Sequence, residues 1–250
     1  MNSPILWTGG KSKLRKKIVQ KFPPHKIYVE PFFGSGAVFF GKEPTPIELI
    51  NDIDQDVINF FSVVRNQLPD LKERFRYVIR GRAIFEEFRK SDMTSLDPVE
   101  RAFRFYYIIR HGYGALFRRN QAGTCNTTFN TMPKIRDFFD LGVIDLAHER
   151  LKNTILESLD YKRMIEKTDT QDTLFYLDPP YAAEYQYMKK FDHAEFIRVL
   201  GEIKGKFVLS IDPETAAKLD GFKVEYFEVH NAIGTRHHSM ARQEALVTNF

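Results

Sequence analysis

The stretch that decides the fold is IYVEPFFGSGAVFFGKEPTPIELIND, residues 27–52. Its apolar run at 27–32 predicts a short strand, which the glycines of Gly34-Ser35-Gly36 interrupt. Residues 37–42 can begin a helix, and the run at 47–50 predicts a second strand. A strand, a glycine turn, a helix and another strand, in this order, are typical of an α/β fold with a parallel sheet.

Strand and helix patterns alternate again after about residue 145. Strands are predicted at 154–159, 173–177 and 207–211, with helices between them. Two final runs, 223–229 and 244–250, are close enough in the chain to pair as an antiparallel hairpin. The sequence therefore predicts a doubly wound, mostly parallel α/β sheet with an antiparallel C-terminal hairpin.

The middle of the chain has a different character, because residues 55–111 predict one helix after another. One of them begins at Asp97-Pro98-Val99-Glu100, a capping box with proline at the first helical position, and ends at Gly112. Residues 113–135 combine turn residues with short polar runs and predict a hairpin.

These patterns predict two domains. Residues 1–54 and 146–250 are expected to form one α/β domain, which a mostly helical insertion at 55–145 interrupts, and the insertion is a candidate for substrate recognition. Insertions at the carboxyl ends of strands commonly build binding sites.

Composition excludes several classes of protein. The chain has 250 residues, of which 43% are hydrophobic and 28% charged, as in an ordinary globular protein. No apolar run approaches the roughly 20 residues of a membrane helix, and the N-terminus lacks the apolar segment of a signal peptide. The single cysteine, Cys125, cannot form an internal disulfide or a cysteine cluster for a metal. We therefore expect a cytoplasmic protein that binds no metal and no membrane.

The basic residues are clustered. The net charge is only +4, but lysines and arginines crowd residues 11–21 and 74–90, and Arg118 and Arg119 are adjacent. Three such groups on one chain favour a polyanionic partner.

The segment LFYLDPPY, residues 174–181, is the most informative for chemistry. Pro179 and Pro180 fix the backbone and lack N–H donors, so the turn presents carbonyl acceptors beside the Asp178 carboxylate. Two acceptors a few Å apart match the two hydrogens of an exocyclic amine, and Tyr181 offers a flat face for the ring that carries it. Such contacts would make the amine nucleophilic towards a positively charged methyl donor in line with it.

The glycine turn indicates the cofactor class. A dinucleotide fingerprint would need a third glycine, and Phe39 stands at that position. Asp52 ends the next strand, where an acid can bind vicinal ribose hydroxyls. Both features fit a cofactor that contains a nucleoside and no phosphate chain.

Four ordered motifs resemble the Dam-like family of DNA adenine-N6 methyltransferases with the alpha motif order: Trp7-x-Gly9-Gly10-Lys11, Glu30-Pro31-Phe32-x-Gly34-x-Gly36, Asn51-Asp52-Ile53-Asp54 and Asp178-Pro179-Pro180-Tyr181. The stretch 110–120 is similar to the DNA-contacting stretch of that family, and the likeness extends to Gly234-Thr235-Arg236 and residues 244–250. It covers nearly the whole chain.

The resemblance implies methyl transfer from S-adenosylmethionine to the N6 amine of an adenine flipped out of duplex DNA, by a monomer or a weak dimer on the DNA. It implies that Lys11 meets the methionine carboxylate, Asp52 the ribose and Asp160 the adenine side of the cofactor. The expected catalytic residues are Asp178, Pro179, Pro180 and Tyr181. The expected cofactor contacts are Trp7, Gly10, Lys11, Glu30, Phe32, Gly34, Ser35, Gly36, Asp52, Ile53, Asp160, Tyr161 and Asp178. The expected DNA contacts are Arg110, Tyr113, Leu116, Arg118, Arg119, Asn120 and Asn126.

The chain departs from the family in the predicted hairpin. Gly114 stands where relatives usually carry Asn, and residues 126–130, NTTFN, replace their N-V-P-F-G stretch. GATC as the target therefore does not follow from the resemblance. Three alternatives stay open: an RNA adenine methyltransferase, a DNA cytosine-N4 methyltransferase and a catalytically idle DNA-binding relative.

Overall fold

The computed structural model describes residues 1–7, 9–115, 125–131, 139–181, 191–230 and 241–250. Within them lies a seven-stranded sheet with the order β3-β2-β1-β4-β5-β7-β6. The strands are β1 (Ile27–Glu30), β2 (Ile47–Asn51), β3 (Ile155–Glu157), β4 (Thr173–Leu177), β5 (Lys206–Ile211), β6 (Lys223–His230) and β7 (Ala241–Thr248). The strands β3, β2, β1, β4 and β5 are parallel, and β7 pairs antiparallel with β5 and β6. The predicted mostly parallel sheet and the C-terminal hairpin are confirmed.

Nine α-helices are assigned in the described part of the chain. They are α1 (Arg15–Gln20), α2 (Gln55–Asn66), α3 (Leu68–Phe75), α4 (Arg82–Lys90), α5 (Pro98–His111), α6 (Leu141–Leu151), α7 (Tyr161–Thr168), α8 (His193–Glu202) and α9 (Pro213–Ala216). Among the described residues, none of the helices combines the length and the hydropathy that crossing a membrane requires.

The sheet is buried on both faces, because alternate side chains along β4 belong to two different hydrophobic clusters. On β4, Leu174 and Tyr176 pack into one hydrophobic cluster with α1, α2, α5 and α6, while Phe175 and Leu177 pack into another with α7 and α8. Successive side chains of a strand point to opposite faces, so helices cover both sides of this sheet. The doubly wound architecture is confirmed.

The helical segment between β2 and β3 shares its core with the sheet. Phe33, which follows β1, packs edge-on against Phe61 of α2 at 4.9 Å, and Phe60 lies 5.9 Å from Phe105 of α5. The predicted start of α5 is confirmed, because the Asp97 side chain accepts hydrogen bonds from the N–H groups of Val99 and Glu100. The division into domains at 55 and 145 stays a prediction.

The predicted hairpin lies partly outside the described residues, which end at 115 and resume at 125–131. Its base is present: Gly112 pairs antiparallel with Phe129, and the Tyr113 N–H donates to the Thr128 carbonyl at 2.8 Å.

Two predicted elements differ from the structure. The helix expected from residue 37 is only a 3₁₀ turn, Phe39–Gly41, because Lys42 is already extended and Glu43 precedes a proline, which disfavours helix. The strand expected at 27–32 ends at Glu30, since Pro31 cannot donate to the ladder.

Candidate active site at the carboxyl edge of the sheet

The sheet reverses its direction of winding between β1 and β4. The chain runs outward from β1 to β2 and β3 on one side, then returns to β4 and β5 on the other. Ligands of open α/β sheets bind at such a switch point, outside the carboxyl ends of the strands. The turns that follow β1, β2 and β4 carry most of the residues expected from the sequence to form the site.

A buried ion pair lies at this edge. The Lys11 ammonium donates to both carboxylate oxygens of Asp178, at 2.8 and 3.0 Å, and to the Gly9 carbonyl at 3.0 Å. The Lys11 side chain is only 5% exposed and that of Asp178 18%. An ammonium at this distance stabilises the ionised carboxylate. The structure thus joins two predicted residues that lie 167 positions apart in the chain.

The turn after β1 requires glycine at two positions. Gly34 has a φ of +48° and lies against the Trp7 indole, while Gly36 has a φ of +66°. A Cβ atom added at Gly36 would lie 2.2 Å from the Phe33 ring, so no other residue fits there without displacing that ring. The turn folds back tightly, with the Gly36 N–H donating to the Phe33 carbonyl at 2.7 Å. Ser35 is buried within this turn, and Gly10 packs against Ser35. The Gly10 N–H donates to the Trp7 carbonyl.

Asp52 connects the turns after β1 and β2. One carboxylate oxygen accepts from the Gly34 N–H at 2.7 Å, and the other accepts from the Asp54 N–H at 2.9 Å. Burial, reinforced by the nearby Asp54 carboxylate, raises the pKa of Asp52 to about 7. Its neighbour Ile53 is 67% exposed.

Asn51 is fully buried and connects strand ends through side-chain hydrogen bonds. Its side-chain amide donates to the carbonyls of Pro31 and Leu159, both at 3.0 Å, and its oxygen accepts from the Leu159 N–H at 2.8 Å. One side chain therefore fixes the turns after β1 and β3 to the end of β2. The Ser158 hydroxyl adds a bond to the Asp52 carbonyl at 3.0 Å.

The turn after β4 is held from the neighbouring strands. Pro179 and Tyr181 are buried, and the Tyr181 hydroxyl donates to the Glu244 carboxylate of β7. The Lys11 ammonium lies 4.8 Å from the centre of the Tyr181 ring. Burial, followed by the charges of Asp178 and Glu244, raises the pKa of Tyr181 well above its usual range. The hydroxyl is therefore neutral, and the ring has a fixed orientation beside Asp178.

Glu30, at the end of β1, is 2% exposed and accepts a hydrogen bond of 2.7 Å from the Tyr28 hydroxyl. Burial is the main cause that raises its pKa to about 8; the Tyr28 bond opposes this rise and the charge of Asp178 adds to it. Glu30 is therefore expected to be protonated near neutral pH, and its contact with a cofactor stays a prediction.

The remaining predicted cofactor residues lie at the end of β3. Asp160 is exposed and caps α7 by accepting from the Lys162 N–H at 2.9 Å. Tyr161 packs against Phe32 with ring centres 5.3 Å apart, and Phe191 and Phe196 complete this aromatic group.

Of the predicted DNA contacts, three lie in the described residues. Tyr113 is 64% exposed, Asn126 is exposed, and Arg110 is half-buried with its guanidinium 5.9 Å from the Tyr106 ring centre. Leu116, Arg118, Arg119 and Asn120 lie outside the described residues. Among the described residues, no group of His, Cys, Asp and Glu side chains could hold a metal ion.

Reasoning from the sequence assigned no role to three residues of this site. Asn51 and Glu244 lie in stretches that carry the family resemblance, and Tyr28 does not; Tyr28 and Glu244 bind predicted site residues. A weak signal exists for Asn51, a polar residue at the end of an apolar strand, and for Glu244, an acid that opens the apolar run ALV. The Tyr28–Glu30 pair follows from their spacing, since residues i and i+2 of a strand share a face.

Comparison with known proteins identifies relatives. Residues 7–212 match the model of a family described as D12 class N6 adenine-specific DNA methyltransferase. The DNA adenine methylase of Escherichia coli strain K12 is 29% identical over 182 residues, which cover 71% of this chain and 64% of that protein. The DNA adenine methylase of Serratia marcescens is 30% identical over 188 residues, covering 71% and 66%. The chain thus matches somewhat less than two thirds of the length of these relatives.

Among solved structures, the precorrin 8w decarboxylase of Methanobacterium thermoautotrophicum is 11% identical, with a TM-score of 0.43 over 99% of this chain and 98% of that one. The fold assignment accordingly rests on the strand order of the chain itself.

Proposed function

Because this chain belongs to the D12 class of N6 adenine-specific DNA methyltransferases, we propose that it transfers a methyl group from S-adenosylmethionine to the N6 amine of adenine in duplex DNA. The observation that carries the proposal is the Lys11–Asp178 pair, which joins the Lys11 motif to the Asp-Pro-Pro-Tyr turn at the end of β4, the strand next to β1. The pair brings the two motifs together at the switch point of the sheet.

The residues at this edge fit S-adenosylmethionine. The amino-acid end of that molecule carries one ammonium and one carboxylate, and Asp178 and Lys11 supply the opposite charges side by side. Asp52 would accept from the ribose hydroxyls, because each of its carboxylate oxygens has a lone pair beyond the one used by a backbone N–H. The glycines let Trp7 and Phe33 pack closely against the turn at Gly34 and Gly36, which fixes the backbone beside which the cofactor would lie. When bound, S-adenosylmethionine supplies an electrophilic methyl group on a sulfonium.

The Asp178 turn provides two hydrogen-bond acceptors for the target amine. The lone pair of adenine N6 is delocalised into the ring, and hydrogen bonds from both of its hydrogens favour a tetrahedral, nucleophilic nitrogen. Asp178 would accept one hydrogen while keeping its bond to Lys11, since a carboxylate has about four acceptor sites. A backbone carbonyl of the Asp178-Pro179-Pro180 turn would accept the other. The N–CH₃ bond forms as the S–CH₃ bond breaks, and Asp178 or water takes the proton that the nitrogen loses.

A base inside a duplex cannot reach this edge, so the adenine would be flipped out at a cost of a few kcal/mol. Exposed Tyr113 and Asn126 at the base of the hairpin support a DNA-binding role for this segment. Reading of base edges by Arg118 and Asn120 stays a prediction from the sequence.

The three alternatives have less support. Membership of an adenine-N6 DNA methyltransferase family disfavours a cytosine-N4 enzyme and an RNA enzyme. An idle relative would not need the paired Lys11 and Asp178, which are both present.

Asp178→Ala tests the proposal. Losing an acceptor to the reacting amine removes about 3 kcal/mol of transition-state stabilisation, by analogy with the loss of one oxyanion donor. Methyl transfer from tritiated S-adenosylmethionine to duplex DNA should therefore fall about a hundredfold or more. Asp172→Ala is the matched control, because this exposed Asp precedes β4 and pairs with Lys26 at 3.1 Å.

Removal of Asp178 also leaves the buried Lys11 ammonium without its carboxylate, which destabilises proteins. Asp178→Asn keeps the size of the side chain and one acceptor oxygen, so it serves as the second variant, with thermal unfolding measured for both. Near-normal transfer by a folded Asp178→Ala would refute the role assigned to Asp178, whereas Asp178→Asn should retain more activity than Asp178→Ala because it keeps one acceptor oxygen.

A further inference from the structure

The segment from the end of α3 to the first residue of α4, residues 76–82, has the sequence RYVIRGR, and we call it the arginine loop. Tyr77 is 77% exposed and Ile79 is 71% exposed, the two largest values among the large apolar side chains of the described residues. Single exposed apolar residues are common on protein surfaces, but two in one short basic loop suggest a binding surface.

The backbone of the arginine loop is anchored although these side chains are exposed. The Tyr107 hydroxyl of α5 accepts from the Gly81 N–H at 2.9 Å and donates to the Ile79 carbonyl at 3.0 Å. Val78 is half-buried between its two exposed neighbours. The fold thus holds Tyr77 and Ile79 at the surface, where they add nothing to the core.

The arginine loop lies beside the base of the predicted DNA-recognition hairpin. The Arg80 guanidinium donates to the Asn130 carbonyl and lies 4.4 Å from the centre of the Phe129 ring. Arg82 approaches the same ring at 5.7 Å, and Phe129 pairs with Gly112, next to exposed Tyr113. The loop and the hairpin therefore form one continuous surface.

The arginine loop itself is basic, because residues 76–82 contain three arginines and no acidic residue. Arg76 and Arg82 are exposed, and within the described part of the chain Arg82 forms no ion pair. Arg76 pairs with the Glu73 carboxylate at 3.5 Å and lies 5.2 Å from the centre of the Tyr77 ring, and the side chains of Arg76 and Glu73 are both more than 60% exposed. Exposed pairs of this kind contribute little, so both guanidinium groups can bind phosphates.

We propose that the arginine loop is a second DNA-contacting surface, which binds the duplex beside the methylated adenine. Arg76 and Arg82 bind phosphates, and Tyr77 and Ile79 pack against the sugars and base edges of the minor groove, where DNA-binding proteins place apolar side chains next to arginines. This inference rests on the proposed function, because it takes the partner to be duplex DNA.

The test is the salt dependence of binding to a fluorescent 40-base-pair duplex pool of random sequence, measured by fluorescence polarisation in increasing KCl. Each phosphate contact contributes about 0.9 to the slope of log K against log salt. The double variant Arg76→Ala/Arg82→Ala should therefore lower the slope by about 2. Tyr77→Ala/Ile79→Ala should keep the slope and weaken binding about tenfold or more at every salt concentration, as expected for the loss of two apolar contacts.

The matched control is Lys26→Ala/Lys204→Ala. It removes the same charge from the amino-terminal edge of the sheet, next to β1 and β5, and should leave the slope close to that of the wild-type protein. Thermal unfolding of every variant shows whether the fold is intact.

An unchanged slope and an unchanged affinity in both loop variants would overturn the inference. So would an equal loss of slope in the control, because the effect would then come from net charge alone. Wild-type methyl transfer to the same duplex pool is measured in parallel. A wild-type protein that binds the pool without methylating it contradicts the proposed function, while the comparison of slopes still decides the role of the loop.

Discussion

Three carboxyl groups at the carboxyl edge of the sheet have three different electrostatic environments. Asp178 pairs with the Lys11 ammonium, and Asp52 accepts from two backbone N–H groups. Glu30 is buried and accepts a hydrogen bond from the Tyr28 hydroxyl on the same strand. Their expected roles differ accordingly. Asp178 acts as a carboxylate at the reacting amine, Asp52 accepts from a polar ligand, and Glu30 is protonated near neutral pH.

The raised pKa of Glu30 makes stability depend on pH. Its pKa is about 8 in the folded protein, chiefly because of burial, against 4.5 for an ordinary glutamate. Below pH 4.5 both states hold the proton. Between pH 4.5 and 8 only the folded state holds it, so the free energy of unfolding falls as pH rises, by up to about 1.4 kcal/mol per pH unit.

Glu30→Gln cannot ionise and should lose this dependence. The free energy of unfolding of this variant, measured in urea, should vary less between pH 5 and pH 8 than that of the wild-type protein. Asp52, whose pKa is also raised, contributes to the pH dependence of both proteins. Glu166→Gln, at an exposed position of α7, controls for the loss of a negative charge. Parallel pH profiles for Glu30→Gln and the wild-type protein would show that Glu30 ionises normally in the fold.

At the scale of elements, the site depends on how strand ends are fixed to one another. Asn51 joins the turns after β1 and β3 to the end of β2 through three hydrogen bonds. Asn249 makes a similar arrangement at the opposite edge, where its side chain accepts from the Phe207 N–H and donates to the Gly205 carbonyl, both at 2.9 Å. Comparing variants of Asn51 and Asn249 therefore separates an effect on ligand binding from a general effect on stability.

Asn51→Ala leaves buried backbone groups without partners, at a cost of about 1–3 kcal/mol for each group. It also releases the turns that carry the expected cofactor contacts. We expect it to lower the melting temperature and to weaken S-adenosylmethionine binding at least tenfold in calorimetry, whereas Asn249→Ala should lower only the melting temperature. Equal cofactor affinity in the two variants would contradict the positioning role of Asn51.

Local signals in the sequence predicted most elements. Apolar runs bounded by glycine and proline located the strands, and Asp97 with Pro98 located the start of α5. The helix expected after residue 37 was wrong, because the extended Lys42 and the proline that follows Glu43 limit the segment to a 3₁₀ turn. Periodicity could not reveal how little chain is left for a helix before the next strand.

Contacts between residues far apart in the chain were harder to predict from the sequence. The motifs placed Lys11 and Asp178 in one site, but their mutual ion pair depends on the pairing of β1 with β4. The Tyr181–Glu244 bond joins residues 63 positions apart and depends on the register of β7 against β5. A single sequence contains no local signal for such a register.

At the scale of the whole molecule, the predicted recognition segment and the catalytic sheet share one aromatic core. Trp7 lies 6.4 Å from Phe105 of α5 and also borders Gly34 of the cofactor turn, so one indole contacts both parts. The helix α5 leads directly to Gly112 and the base of the hairpin. The surface expected to bind DNA is thereby connected through packed side chains to the edge where the amine is expected to react.

The most direct test of the central claim is the modified-base content of DNA from cells that express the chain, in a host without adenine methylation of its own. The DNA is digested to nucleosides and analysed by mass spectrometry, with cells expressing Asp178→Ala as the control. The account predicts N6-methyladenine in DNA from cells with the wild-type chain and none above background in the control. DNA that contains no N6-methyladenine, or that carries the new methyl group on cytosine N4, would contradict it.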